Sequence, residues 1–250
     1  MSSHPALPVT RAQRARAYAV HLYTASGVVL ALLAAVETCA PEPEPRWVFL
    51  WLALAVVVDS TDGPLARRWH TKTWAPRIDG RTIDDIVDYL TYTFLPLLLV
   101  WRMGWLPAPG EVWVAPALMA SLLGFANTGA KDEQGGFFLG FPSYWNVVAF
   151  YTGIWFERHG PWFNAAVLAV LTVLTVLPVR FLYPNLAPRP WKVPLIAGGV
   201  VWALLVAAMV PAYPHVPGGL LWASLVYPAL YAALSVYLDA ARRRGPPRAP

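Results

Sequence analysis

Six aspartates fall within thirty positions of this 250-residue chain: Asp59, Asp62, Asp79, Asp84, Asp85 and Asp88. Their spacing is helical. Asp59, Asp62, Gly63 and Ala66 stand at i, i+3, i+4 and i+7, which is one face of a helix, and Gly80, Asp84 and Asp88 repeat every four residues on another. Two carboxylates from each helix, with small residues beside them, describe a polar cleft. Four converging carboxylates without matching cations repel one another, so such a cluster is stable and ionised only where metal ions neutralise it. Ligands that are all oxygen favour Mg²⁺ or Mn²⁺ over zinc. A divalent ion there would in turn hold phosphate. Gly63, Ala66 and Gly80 would let a nucleotide approach the helix backbones, and Arg67 offers a bidentate donor to phosphate.

The elements that must carry these residues are membrane spans. The chain is 57% hydrophobic and 13% charged, with 13 Trp and 25 Pro, far from an ordinary soluble composition and suited to a polytopic membrane protein. A single cysteine, Cys39, excludes an internal disulfide and a cysteine-based zinc site. The net charge of +5 does not point to nucleic acid, because the cations are scattered among apolar runs. Stretches of about 20 apolar residues, the length that crosses a bilayer, predict an all-α bundle of about eight transmembrane helices. Their expected bounds are 17–36, 47–67, 82–101, 112–130, 143–157, 161–180, 193–211 and 219–238, with 242–250 as a cytoplasmic tail. The aspartates fall at the ends of the second and third spans, where carboxylates face a cavity and act in it.

Lysine and arginine placement sets the orientation. Of the 19 cations, all but Arg46, Arg102 and Arg158 fall on the side shared by both termini, which is therefore expected to be cytoplasmic. The cleft then opens to the cytoplasm. The first span is expected to be a retained helix and not a cleaved signal, and Pro8 to Arg16 before it reads as a short basic helix along the membrane surface. Pro64 inside the second span is expected to kink it.

At this point the residues carry a resemblance. Asp59-x-x-Asp62-Gly63-x-x-Ala66-Arg67, followed by Gly80-x-x-x-Asp84-x-x-x-Asp88, resembles the signature of the CDP-alcohol phosphotransferases. These are integral membrane enzymes that move a phosphatidyl or related group from a CDP-linked donor to an alcohol. Twelve residues, Arg68 to Asp79, separate the two halves of the motif, a gap longer than is usual in that family and similar to that of its bacterial phosphatidylcholine synthases. His21-Leu-Tyr-Thr-Ala-Ser-Gly27, Asp88-Tyr-Leu-Thr-Tyr92 and Phe137-Phe-Leu-Gly-Phe-Pro-Ser-Tyr-Trp-Asn146 extend the similarity over residues 17 to 190.

The resemblance implies that CDP-diacylglycerol and choline give phosphatidylcholine and CMP. It implies that Asp59, Asp62, Asp84 and Asp88 hold two Mn²⁺ or Mg²⁺ ions, with Asp84 and Asp88 at the reacting centre and Asp88 also the base. Asp59, Gly63, Ala66, Arg67 and Gly80 would cradle the cytidine diphosphate. A homodimer in the bacterial inner membrane is implied likewise. Choline has no group for a cation to grip, so aromatic faces are expected to hold its quaternary ammonium. The candidates are Tyr89, Tyr92, Tyr144, Trp145 and Tyr183, beside an interfacial-belt role for each. His21, Thr24 and Ser26 stand between donor-phosphate contact and helix packing. Asp79 and Asp85 read as first-turn carboxylates, and Asn146 and Glu133 as weak acceptor-site candidates. Two rivals remain: the same chemistry with glycerol 3-phosphate, inositol or serine as acceptor, and an ion-coupled transporter. Carboxylates near one membrane face and the absence of a visible internal repeat disfavour the transporter.

Overall fold

A computed structural model describes residues 9–132 and 136–244. The chain divides into two compact units, Met1–Leu95 and Pro96–Pro250. Among the described residues four helical stretches are long and apolar enough to cross a membrane: Arg11–Thr38, Pro45–Arg68, Arg189–Ala212 and Gly218–Arg242. Glu111–Ala126 and Pro161–Val176 are apolar but shorter. Val193, Val200, Val201 and Leu204 all lie on the surface. Apolar exposure on that scale suits lipid rather than water.

The first unit carries the aspartates. Helix α1 (Arg11–Ala25) starts at Thr10, whose hydroxyl accepts from the Gln13 N–H while the Gln13 side chain accepts from the Thr10 N–H, a reciprocal cap. The basic residues Arg11, Arg14 and Arg16 therefore form the opening turns of α1 itself and not a separate surface helix, because the cap fixes the start at Thr10. After Ser26, α2 (Gly27–Thr38) continues in nearly the same conformation. Helix α3 (Pro45–Arg68) opens with proline at its first position and runs on through Pro64. A short α4 (Thr71–Trp74) lies in the long gap of the motif. Helix α5 (Gly80–Asp88) follows, capped by Asp79, and passes into a π-helical turn, Tyr89–Phe94.

Two glycines let these helices meet. A Cβ on Gly27 would lie 2.5 Å from Val87 Cγ1, so α2 approaches α5 closely only because the side chain is missing. A Cβ on Gly80 would lie 2.9 Å from His21 Cε1, so the ring of α1 seats directly against the start of α5. Together they hold the helix that bears Asp84 and Asp88 against the first span.

The second unit begins as the π turn gives way to α6 (Leu95–Arg102). Helices α7 (Glu111–Ala126), α8 (Trp145–His159) and α9 (Pro161–Val176) follow, with α7 and α8 both packing against α9. Helices α10 (Arg189–Met209) and α11 (Gly218–Arg244) pair with each other. Alongside the helices stands a small antiparallel sheet, which the expectation of a purely helical bundle did not include. Its order is β1 (Lys131–Asp132), β2 (Phe137–Leu139) and β3 (Arg180–Leu182). The sheet rests on α11: Tyr231 donates to the Leu182 carbonyl at 2.7 Å, and the Leu182 N–H donates to Ser235 Oγ at 3.1 Å. Arg242 to Arg244 continue α11 instead of starting a tail. Residues 245–250 and the candidate Glu133 lie outside the described residues.

Gly27→Ala is expected to destabilise the first unit by about 1–3 kcal/mol, the usual cost of overfilling a closed contact. Val87→Ala in the same chain should recover part of that loss, a coupling that melting in detergent of both single variants and the double variant will read. Additive effects would show that the Gly27 and Val87 side chains do not oppose each other.

Candidate active site

Asp59, Asp84 and Asp88 come together as the spacing predicts. Each offers a carboxylate oxygen, and the three oxygens lie within 4.8 Å of one another at half-buried positions. Asp59 belongs to α3, while Asp84 and Asp88 stand one turn apart on α5. Hard oxygen donors at this separation fit a divalent cation such as Mg²⁺ or Mn²⁺.

Asp62 is not among the three. It lies only 3 residues from Asp59, yet three residues of α-helix leave side chains about 60° apart around the axis. That rotation turns it inward, where it is 6% exposed beside Thr24 of α1. Its Oδ2 is buried with no hydrogen-bond partner. Tyr23 and Thr61 tie α1 to α3 next to it, with 2.7 Å between their hydroxyl oxygens.

The small residues of the motif take different places. The Arg67 side chain folds back along α3, so that a Cβ on Gly63 would lie 3.5 Å from its Nη1. Ala66 is half-buried on the same helix and Arg67 is exposed at its end. Gly80 meets the ring of His21, a buried residue whose Nε2 has no hydrogen-bond partner. For His21, packing between helices is what the structure displays. The Ser26 hydroxyl is spent on the Tyr23 carbonyl at 2.6 Å, and Thr24 donates to Val20 at 3.3 Å.

Asp79 and Asp85 serve α5. Asp79 accepts from the Arg81 N–H at 3.0 Å and from the Thr82 hydroxyl at 2.9 Å, capping the helix. Those donors, the Thr82 hydroxyl first, hold its carboxyl below the usual range. The cap therefore stabilises the folded helix above the ordinary carboxyl pKa and is lost as pH falls through the lowered value. Asp85 pairs with Arg81 at 3.5 Å, an i, i+4 bridge.

The aromatic candidates separate. Tyr92 donates its hydroxyl to Asp59 Oδ2 at 2.7 Å. The spacing of the carboxylates gave no sign of that bond, since it depends on the π turn that follows Asp88. Tyr89 opens that turn and is half-buried. In the second unit, Trp145 is 0% exposed and donates its indole N–H to Ser121 Oγ at 2.7 Å. Tyr144 caps α8, and Tyr183 donates its N–H to the Gly136 carbonyl at 2.9 Å. Asn146 accepts from the Val147 N–H at 2.8 Å within the first turn of α8.

No family model matches the chain. Among curated proteins it is 40% identical over 179 residues to the phosphatidylcholine synthase of Pseudomonas aeruginosa, an alignment covering 71% of this chain and 73% of that protein. It is 38% identical over 175 residues to the phosphatidylcholine synthase of Mesorhizobium japonicum, covering 68% of this chain and 62% of that one. The phosphatidylcholine synthase of Legionella pneumophila is 33% identical over 239 residues, 92% of this chain and 91% of the relative. Similarity at that level over nearly the full length of both chains, with the aspartate motif folded onto two adjoining helices, places this chain in the family of bacterial phosphatidylcholine synthases.

Proposed function

We propose that this membrane enzyme transfers the phosphatidyl group of CDP-diacylglycerol to choline, giving phosphatidylcholine and CMP. The observation that carries the reading is the convergence of Asp59, Asp84 and Asp88 within 4.8 Å, in a chain of this family. The residues fit two divalent ions, Mn²⁺ or Mg²⁺. Asp59, Asp84 and Asp88 would hold them, and Asp62, with a buried oxygen that no hydrogen bond satisfies, would complete the set. When bound, such ions neutralise the donor pyrophosphate and the departing CMP.

The remaining roles fall to the chain itself. Arg67, Gly63, Ala66 and Gly80 receive the cytidine diphosphate, the arginine through its forked donors and the others by leaving room. The choline hydroxyl oxygen forms a new bond to the phosphorus that carries diacylglycerol. The P–O bond to CMP breaks, and CMP leaves with the electron pair. Asp88 takes the hydroxyl proton, a general-base role that asks only for hydrogen-bond reach to the acceptor. Tyr89, beside Asp88 in sequence, leads the aromatic set for the quaternary ammonium, with Tyr92, Tyr144, Trp145 and Tyr183 behind it. The family setting supports eight spans, cytoplasmic termini, an inner-membrane location and a homodimer as parts of the same reading.

Purified protein in liposomes, given CDP-diacylglycerol and Mn²⁺, should release CMP with choline and form phosphatidylcholine, and EDTA should abolish both. If serine, inositol or glycerol 3-phosphate reacts in place of choline, the acceptor assignment is overturned. Asp88→Asn should lower turnover by about 10²–10⁴, the range for loss of a general base. Near-normal turnover in that variant would remove Asp88 from the base role. Tyr89→Leu should raise the choline KM with little change in the KM for CDP-diacylglycerol, and equal effects on both would reject an ammonium contact.

A further inference from the structure

The aromatic candidate Tyr92 is bonded to a carboxylate, not open to a ligand by its hydroxyl: its O–H meets Asp59 Oδ2 at 2.7 Å. Asp59 belongs to the three-carboxylate group, and Tyr92 comes from the same chain segment as the other two members. In a continuous α-helix, residues at i, i+4 and i+8 drift around the axis by about 40° at each step. Asp84 and Asp88 take the first step inside α5, but the second, from Asp88 to Tyr92, crosses the π turn Tyr89–Phe94. A π turn needs more residues for one rotation. It therefore cancels the drift and returns Tyr92 to the side on which Asp84 and Asp88 stand. The turn is tied down at both ends of its buried face, since Thr91 and Thr93 are 1% and 0% exposed.

We propose that Tyr92 is a positioning residue for the metal centre: by donating to one oxygen of Asp59 it fixes the rotation of that carboxylate and presents it to the ion shared with Asp84 and Asp88. The inference rests on the metal reading given above. A carboxylate that binds an ion with one oxygen is commonly oriented by a donor on the other, and loss of such a donor costs about 10- to 100-fold in metal affinity or activity. Tyr92 performs this role from the segment that carries two of the ligands, so the orientation of Asp59 is coupled to the position of Asp84 and Asp88 without a third helix.

Tyr92→Phe removes the hydroxyl and keeps the ring. Mn²⁺ titration of the purified protein, followed by the loss of the free-ion electron paramagnetic resonance signal, should show at least 10-fold weaker binding in Tyr92→Phe than in the parent chain. The choline KM at saturating Mn²⁺ and the metal-free melting temperature should stay close to those of the parent. Unchanged Mn²⁺ affinity in the variant would overturn the inference while leaving the metal reading intact. A parent chain that binds no Mn²⁺ would overturn both. A rise in choline KM with unchanged Mn²⁺ affinity would return Tyr92 to an ammonium contact, and a large loss of metal-free stability with unchanged affinity would make its role purely structural.

Discussion

Mutual repulsion among carboxylates governs this site. Two unit charges 4.8 Å apart repel by about 3 kcal/mol at the effective dielectric of about 20 that suits groups in proteins, and three such groups make three pairs. Left alone, side chains would rotate apart into any space available. They are kept together by the backbone: Asp84 and Asp88 have no freedom to separate while α5 stays helical, and Asp59 is tethered by Tyr92. The strain of that arrangement is what gives a divalent cation its affinity, because the ion relieves repulsion that the fold has already imposed.

The helices achieve this with small residues at the contacts and polar residues at the ends. Gly27 and Gly80 set the distance of α5 from the first span, with Val87 and the His21 ring filling the space those glycines leave. Asp79 fixes where α5 begins, so its cap and the Gly80 contact locate the helix along its axis as well as across it. Asp79, Asp85 and the reactive aspartates are all acidic residues of one short stretch, yet they do different work. Donors of the local backbone and the neighbouring Arg81 occupy the first two, whereas the others face away from such partners and toward each other.

Much of this could be read in the sequence because helical repeats place side chains by arithmetic. The i, i+4 relation of Asp84 and Asp88 survives in the structure, as does the meeting of α3 with the segment after Gly80. The same arithmetic is too coarse for Asp59 and Asp62, where an i, i+3 step permits a shared face and also permits a turn toward a different neighbour. The burial of α1 against α3 decides for the second. Strands of 2 and 3 residues give no period to detect, so the small sheet was invisible beforehand. Nor could the Tyr92 bond be foreseen, since it needs both a tertiary approach and a break in the helical period. The candidate Trp145 illustrates the converse: an aromatic near a membrane end satisfies a composition argument, while its buried indole shows a core role.

The π turn also bears on how this chain can drift over evolutionary time. It holds one more residue than the α-helical turn it replaces, so removing any one residue from Tyr89–Phe94 would restore an ordinary helix and swing everything beyond it through about 100°. Leu95, Leu97 and Leu99, all buried, would then exchange places with neighbours now on other faces. A deletion there is consequently a change of phase for the whole downstream helix rather than a local trim, and the segment tolerates substitution far more readily than it tolerates a change of length.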